Sequence, residues 1–212
     1  RGRIRCYEVW NEPNTEFFKG TTDEYLALLR AAYEVAREVD VELRIVGGSG
    51  TGDFLSWTEA ILAGGGGATM DILSFHAYTT PQSPEEANLE GRLQRLRQLC
   101  RDYGVPDMPL WNTEVGYWCD RRAQARPADQ EELLAKAPPE LRPNWQSGWP
   151  YRPITEADAA AYMLRHIYLN CAAGVERLFC YSCSESGLPL LCRDGSLRRS
   201  CLAIANAADM YK

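Results

Sequence analysis

Residues 4–14 have the sequence Ile-Arg-Cys-Tyr-Glu-Val-Trp-Asn-Glu-Pro-Asn, in which a largely apolar stretch from Ile4 to Trp10 runs directly into a polar turn. This pattern is typical of a strand that ends in a loop. Thr21 to Glu24 then offer polar groups suited to a helix N-terminus. The apolar face expected of that helix consists of Tyr25, Leu28, Leu29, Ala32, Ala36 and Val39. A strand followed by a helix in this way forms one βα unit.

The same alternation recurs along the rest of the chain. Short apolar segments that predict strands lie at 43–46, 71–75, 109–113 and 175–181. Segments of helical period follow them at 54–62, about 85–103, 155–173 and 196–211, and the third helix is expected to bury Leu89, Leu93, Leu96 and Leu99 or Cys100. Because strands that alternate with helices usually pair in parallel, the sequence predicts an α/β fold with five βα units.

Two architectures fit five such units. A (β/α)8 TIM barrel needs eight strands and about 250 residues, so the first three βα units would lie outside this chain. A small open five-stranded sheet needs no further strands, but its first strand would begin abruptly at residue 3 or 4. We therefore expect the barrel, with the 212 residues forming a single partial domain that covers about strands 4 to 8.

Composition and charge exclude several classes of partner. The chain is 45% hydrophobic and 25% charged, as in an ordinary soluble globular protein. Its 29 acidic and 23 basic residues give a net charge of -6, and the basic residues form no stripe, so we expect no nucleic-acid partner. No apolar run approaches the roughly 18 residues of a membrane span, so we expect no membrane partner either. The localisation and the oligomeric state stay open.

The eight cysteines are spread through the sequence and do not define a compartment. Cys180 and Cys183 form a C-x-x-C pair that could be redox-active or half of a zinc site. No second pair follows at metal-ligand spacing, so we expect Cys180 to lie in a buried strand and Cys183 at its end. We accordingly predict no metal and no cofactor.

Two glutamates stand at the ends of predicted strands. Glu12 follows the first strand in Trp-Asn-Glu-Pro-Asn, and Glu114 follows the fourth in Thr-Glu-Val-Gly. In a parallel barrel all strand C-termini open onto one face, so two glutamates 102 residues apart can converge on one pocket. Hydrolysis of a glycosidic bond needs such a pair, with one carboxyl protonated and the other ionised.

These motifs, in this order, resemble those of the clan A retaining glycoside hydrolases across essentially all 212 residues. In that clan an Asn-Glu-Pro motif after the fourth barrel strand supplies the acid/base, and a glutamate after the seventh supplies the nucleophile. The resemblance implies that Glu12 is the acid/base and Glu114 the nucleophile. The β-xylosidase, α-L-iduronidase and cellulase types are all similar, and the sequence does not choose among them.

The resemblance also implies a set of substrate-binding residues. Asn11 would bond the sugar 2-hydroxyl, while His76 and Tyr78 would orient the nucleophile and line the pocket. Tyr181 stands where the clan commonly has a tryptophan platform. The Pro-rich connection 119–153 is expected to form a long loop on the active-site side, with tryptophans that stack on sugars or anchor the loop. The whole expected set is Trp10, Asn11, His76, Tyr78, Trp118, Trp145, Trp149 and Tyr181.

The sequence therefore predicts a retaining glycoside hydrolase that acts on a carbohydrate without a cofactor. A carbohydrate-binding barrel that keeps the glutamates but lacks turnover is the first alternative. A metal-dependent or redox α/β protein that uses Cys180, Cys183, His76 and nearby carboxylates is the second. We expect little hydrolysis from the 212 residues without the first three βα units, and we expect His166 to be structural. The sugar, the linkage and endo or exo action stay open.

Overall fold

The computed structural model describes residues 4–119, 154–182, 190, 191 and 196–210. Strands β1 (Cys6–Glu8), β2 (Arg44–Gly50), β3 (Ile72–Phe75), β4 (Leu110–Val115) and β5 (Val175–Cys180) form one parallel sheet in chain order. The helices between and after them are α1 (Thr22–Val39), α2 (Phe54–Ala63), α3 (Leu89–Asp102), α4 (Glu156–Ala172) and α5 (Arg199–Met210). The predicted α/β fold and its five βα units are confirmed.

None of the helices among the described residues is both long enough and apolar enough to cross a membrane.

The chain divides into two compact units. The first contains the described residues up to Tyr78, Asn88–Val115 and Leu169–Phe179, and so includes nearly the whole sheet with α1, α2 and α3. The second contains Thr79–Ala87 and the described residues of 116–168 and 180–212.

Helix α1 begins as its sequence predicts. Thr21 is the N-cap, and its hydroxyl accepts from the Glu24 N–H at 3.2 Å while the Glu24 carboxylate accepts from the Thr21 N–H at 2.7 Å. This reciprocal capping box satisfies two backbone donors at the helix start. The N–H and the hydroxyl of Thr21 both donate to the Glu24 carboxylate, and these two bonds lower the pKa of the Glu24 carboxyl below its ordinary value.

The buried face of α1 differs in part from the predicted one. Tyr25, Leu29 and Ala36 are buried as expected, but Leu26 is buried in place of Leu28, which is 37% exposed. Successive helical residues are about 100° apart, so Leu28 points well away from Leu29, whereas Leu26 lies only about 60° from it. Val39, in the last turn, is 72% exposed.

Helix α3 buries the predicted stripe but begins later than predicted. Leu89, Leu93, Leu96, Leu99 and Cys100 are all buried in the core of the first unit. The preceding residues 84–88 form turns instead of helix, because Asn88 has a φ of +50° and breaks the regular backbone. Ser83 and Glu86 exchange backbone-to-side-chain hydrogen bonds in that turn, which explains why its sequence resembles a helix start.

Strand boundaries also shift. β1 is shorter than the predicted 4–10, since Trp10 has a φ of +70° and leaves the sheet. β2 extends past the predicted end at Val46 as far as Gly50, because Gly47 pairs with Leu73 and Gly50 with Phe75. The register shifts between those two pairs, which marks a β-bulge. Glu114 lies within β4 instead of just after it.

The predicted buried fifth strand is only partly correct. Val175 is buried, but most of the other residues of β5 are exposed, and Phe179 is 42% exposed. β5 is the last strand of the described sheet, so it has a neighbour on one side only. Cys180 is accordingly half-buried, and Cys183 lies outside the described residues.

The second unit contains a buried polar cluster around His166. The Tyr117 hydroxyl lies 2.5 Å from the Thr79 hydroxyl and 3.2 Å from Nδ1 of His166, which is fully buried. The rings of Tyr117 and Tyr162 pack edge to face 5.6 Å apart. His166 thus has the environment of a structural residue, as its helical sequence context predicts.

Candidate active site

Glu12, His76 and Glu114 converge at one edge of the sheet in the first unit. Glu12 lies in the loop after β1, His76 directly after β3, and Glu114 one residue before the end of β4. The strands are parallel, so their carboxyl ends meet at this edge. One ring nitrogen of His76 and one oxygen of each carboxylate all lie within 4.8 Å of one another.

His76 stands between the two carboxylates. Its Nδ1 lies 2.9 Å from Oε1 of Glu12 and 3.8 Å from Oε2 of Glu114. The imidazole is fully buried, whereas the side chains of Glu12 and Glu114 are 13% and 23% exposed. Both carboxylates therefore keep a solvent-exposed part, whereas His76 has none.

Tyr78 orients the second carboxylate. Its hydroxyl donates to Oε2 of Glu114 at 2.9 Å, and its ring packs edge to face with that of His76. Tyr78 is itself fixed from α3, because the Arg92 guanidinium donates to the Tyr78 carbonyl and, at 3.0 Å, to the Gly52 carbonyl. Arg92 also stacks over the ring of Phe54, so one side chain ties the loops after β2 and β3 together.

Burial raises the pKa of the Glu114 carboxyl above its ordinary value. The hydrogen bond from the Tyr78 hydroxyl acts in the opposite direction, and the nearby Glu12 and Glu8 carboxylates add to the rise. As pH falls, Glu114 therefore becomes protonated at a higher pH than an ordinary glutamate does.

The raised pKa of Glu114 leads to a stability prediction. A carboxyl whose folded-state pKa is raised stabilises the folded chain at low pH, and this stabilisation is lost as pH rises through the folded pKa. We therefore expect Glu114→Gln to raise the midpoint of thermal unfolding at neutral pH, and the difference from wild type to shrink as pH falls below the raised pKa. Thermal unfolding followed by circular dichroism across pH 4 to 8 measures this.

Glu16→Gln is the matched control. Glu16 is exposed, so this variant removes one negative charge from the chain without removing a buried carboxyl. An equal gain for both variants, or a gain for Glu114→Gln that grows toward low pH, would contradict the assignment of the effect to burial.

The loop that carries Glu12 is held in a defined conformation. Glu12 has a φ of +45°, and its carbonyl accepts from the N–H and the hydroxyl of Thr15. Asn14 binds the backbone of Thr51 twice, donating to its carbonyl at 2.7 Å and accepting from its N–H at 3.0 Å. Asn14 thereby ties the Glu12 loop to the end of β2.

Replacing Asn14 by alanine removes both of these hydrogen bonds and leaves the backbone groups of buried Thr51 without their partner. We expect Asn14→Ala to lower the free energy of unfolding of the chain by about 1–3 kcal/mol. Urea unfolding followed by tryptophan fluorescence measures the change. The exposed Asn11→Ala is expected to stay within about 0.5 kcal/mol of wild type, and similar losses in the two variants would refute the bridging role of Asn14.

The remaining sequence-predicted residues have varied environments. Asn11 is exposed beside Glu12. Trp10 is 49% exposed, and its indole N–H donates to the Phe17 carbonyl, so it packs on its own loop. Trp118 is half-buried and Tyr181 is 41% exposed, and both belong to the second unit. Trp145, Trp149 and most of the predicted loop 119–153 lie outside the described residues.

The sequence interpretation missed Asn14, Ser49 and Arg92. Asn14 belongs to the Asn-Glu-Pro-Asn motif, and this could have marked it as a residue of the site. Its hydrogen-bonding partner Thr51 could not be predicted from the motif. Ser49 lies in Gly-Gly-Ser-Gly, which resembles a turn, and Arg92 resembles an ordinary solvent-facing residue of a helix. Nothing in the sequence of these two indicates their contacts.

Among the described residues, Glu12, His76 and Glu114 are the group that could hold a metal ion. Their donor set of two carboxylates and one imidazole suits several divalent cations. The Nδ1 atom of His76, however, is already within hydrogen-bonding distance of Glu12, so binding would have to break that contact.

A family model and a curated relative match this chain. The model described as "Glycosyl hydrolases family 39" matches residues 5–130, which include Glu12, His76 and Glu114. A curated β-xylosidase from Caldicellulosiruptor saccharolyticus is 36% identical over 97 residues, which are 43% of this chain and 20% of that protein. The chain thus spans about a fifth of the relative it matches.

Solved structures share the fold. A glucosidase from Croceicoccus marinus superposes with a TM-score of 0.63 at 14% identity, over 96% of this chain and 40% of that one. A family 39 β-xylosidase from Caulobacter crescentus superposes with a TM-score of 0.59 at 19% identity, over 92% of this chain and 40% of that one. At such low identity these matches support the fold alone, and this chain covers less than half of each structure.

Proposed function

The chain belongs to family 39 of the glycosyl hydrolases, and from this membership we propose that it carries the catalytic pair of a retaining glycosidase, with Glu12 as acid/base and Glu114 as nucleophile. The observation that supports the proposal best is the close approach of the two carboxylates, which have oxygens within 4.8 Å of each other. Retaining glycosidases hold these groups about 5–5.5 Å apart, whereas inverting enzymes separate them by about 6.5–9.5 Å to admit a water.

The contacts suit a two-step reaction. In the first step Glu114 attacks the anomeric carbon, the bond to the leaving oxygen breaks, and Glu12 gives that oxygen its proton. In the second step Glu12 takes a proton from water, whose oxygen bonds to the anomeric carbon on the face that the leaving group departed from, while the bond to Glu114 on the opposite face breaks. Tyr78 holds Oε2 of Glu114, which leaves Oε1 to form the covalent bond. Two inversions at one carbon give net retention.

The ionisation states needed for this reaction set a condition on pH. Glu114 has to be ionised, although burial raises its pKa, and the Tyr78 hydroxyl favours the ionised form by hydrogen bonding to it. We propose that the raised pKa of Glu114 determines the acidic limb of the activity profile. Activity would then fall off, as the pH is lowered, at a higher pH than it would for a nucleophile with the ordinary pKa of glutamate.

We further propose that β1 to β5 correspond to strands four to eight of a TIM barrel, and that the first three βα units lie outside these 212 residues. The chain covers only about 40% of the solved structures it resembles, while they cover nearly all of it. A protein that contains these residues together with the first three βα units is called the complete-barrel protein below. We expect hydrolysis from the complete-barrel protein and little from the 212 residues alone.

The substrate is proposed to be a carbohydrate O-glycoside. The curated relative is a β-xylosidase, so aryl β-xylosides are the first substrates to test. Asn11, exposed beside Glu12, is proposed to bind the sugar 2-hydroxyl. Trp10, Trp118 and Tyr181 are proposed as further sugar contacts, and Trp145 and Trp149 remain predictions.

The test is the stereochemistry of hydrolysis by the complete-barrel protein. Proton NMR during the first minutes of reaction identifies the anomer released before mutarotation. Release of the anomer with the configuration of the substrate supports the proposal, and release of the opposite anomer refutes the retaining mechanism. Sugar binding without release of a reducing end would favour the non-catalytic carbohydrate-binding barrel.

A further inference from the structure

We propose that Ser49 is a positioning residue of the active site, which holds His76 as the neutral tautomer with its proton on Nδ1, directed at Glu12. This inference rests on the proposed function for its consequence in catalysis, but the tautomer itself can be measured without any turnover. Ser49 is fully buried, and its hydroxyl lies 3.3 Å from Nε2 of His76.

The backbone around Ser49 has an unusual conformation that brings its side chain to this point. Ser49 lies in the β-bulge between Gly47 and Gly50 and has a φ of +50°, a region that disfavours residues with a Cβ. Non-glycine residues in this region persist where surrounding contacts hold them, often at functional sites.

Several buried contacts hold the bulge. The N–H of Gly48 donates to the Tyr25 hydroxyl at 2.9 Å, and its carbonyl accepts from the Trp57 indole at 2.9 Å. The N–H of Ser49 donates to the hydroxyl of Ser74 at 3.0 Å. A Cβ on Gly48 would approach the carbonyl oxygen of Ser74 to 2.4 Å, so only glycine fits there. These contacts fix the conformation of the bulge, so it is an ordered part of β2.

The hydrogen-bonding partners of His76 assign its proton. Nδ1 faces carboxylate oxygens of Glu12 and Glu114, which accept hydrogen bonds, so Nδ1 carries the hydrogen. In the neutral imidazole that we propose there is one N–H, so Nε2 is the acceptor. Ser49 has no other side-chain hydrogen bond within the part of the chain that the structure describes, so its hydroxyl is available to donate to Nε2.

The result is a directed chain of hydrogen bonds from Ser49 through His76 to Glu12. A 180° flip of the ring would place a carbon, instead of Nδ1, against Glu12. The bond to Ser49 opposes this flip because it can form only in one ring orientation. Ser49 therefore keeps Nδ1 of His76 directed at one oxygen of Glu12, which leaves the other oxygen to exchange a proton with substrate.

Nitrogen-15 NMR of the imidazoles tests this directly. The chain has two histidines, and a His76→Asn variant identifies the signals of His76 by their loss. At neutral pH we expect Nδ1 to be protonated and Nε2 to be unprotonated in the wild-type chain. A protonated Nε2, in either the other tautomer or the imidazolium, would overturn the proposal.

Ser49→Gly is the informative variant, since it removes the hydroxyl and tolerates the positive φ. We expect the Nε2 signal of His76 to move toward the position of an unbonded lone pair. Ser83→Ala, which removes a buried hydroxyl whose partner is the Glu86 N–H, should leave that signal in place. An unmoved Nε2 signal in Ser49→Gly refutes the contact, and Ser49→Ala repeats the test with a Cβ retained.

A kinetic readout separates positioning from folding. In the complete-barrel protein, Ser49→Gly is expected to lower kcat by up to about 100-fold with little change in KM, as expected for a misplaced catalytic group. Unchanged kcat would refute the positioning role. If instead the tautomer is found as expected but the wild-type protein hydrolyses no glycoside, the proposed function fails while the assignment of His76 stands.

Discussion

Replacing Glu114 by glutamine is expected to lower hydrolysis by the complete-barrel protein on the order of 10⁴-fold or more, because the amide cannot form the glycosyl-enzyme bond. Glutamine has nearly the same shape as glutamate. In the wild-type chain the Tyr78 hydroxyl donates to Oε2 of Glu114 at 2.9 Å, and the side-chain carbonyl of glutamine can accept the same hydrogen bond. The loss should therefore appear in kcat without a loss of folding. Initial rates on an aryl glycoside measure it, with circular dichroism as the check on structure.

A small external nucleophile distinguishes the role of Glu114 from a structural one. In Glu114→Ala the space left by the carboxylate can admit azide, which would attack the anomeric carbon from the vacated side. We expect azide to restore turnover and to give the glycosyl azide with inverted configuration, since only one displacement then occurs. The exposed Glu16→Gln should keep wild-type activity with or without azide. Restored turnover with retention would reassign Glu114 to the acid/base role.

The sequence predicted the order of elements well because each element has a local signal. The capping residues of α1, the apolar stripe of α3 and the five short apolar strands all arise from contacts whose spacing is visible along the chain. The errors lie at element ends. Helix α3 begins later than predicted because of the positive φ of Asn88, which the sequence does not reveal. Strand β2 extends further than predicted because Gly47 and Gly50 pair with β3, although their sequence resembles a loop.

The sequence predicted which residues meet at the candidate site, but not the contacts that hold them there. That Glu12, His76 and Glu114 meet follows from parallel strands, because each residue stands at a strand end and those ends share one edge. The supports around them do not follow from spacing. The contact of Asn14 with Thr51 joins residues 37 apart, and that of Ser49 with His76 joins residues 27 apart. The direction of the Glu114 pKa shift likewise depends on burial, which the motif does not encode.

Replacing Glu12 is expected to have an effect that depends on the leaving group. In the proposed mechanism Glu12 protonates the departing oxygen, so Glu12→Gln should slow cleavage of an unactivated glycoside by about 10²–10⁴-fold, the usual contribution of general acid catalysis. An aryl glycoside with a very acidic phenol needs no such proton. For that substrate the first step should be nearly as fast as in wild type, and the second step, which still needs Glu12 as base, should become limiting.

A burst of phenol release equal to the enzyme concentration, followed by a slow steady state, is therefore the expected result for Glu12→Gln with an activated aryl glycoside. Stopped-flow absorbance of the phenolate measures both phases. Azide should accelerate the slow phase and yield a glycosyl azide with retained configuration, since it attacks the covalent intermediate from the face of the departed aglycone. This outcome is the opposite of that for Glu114→Ala, so the two variants together assign the roles. Equal losses on activated and unactivated substrates, without a burst, would remove Glu12 from the acid/base role and leave its contact with His76, at 2.9 Å, as a structural one.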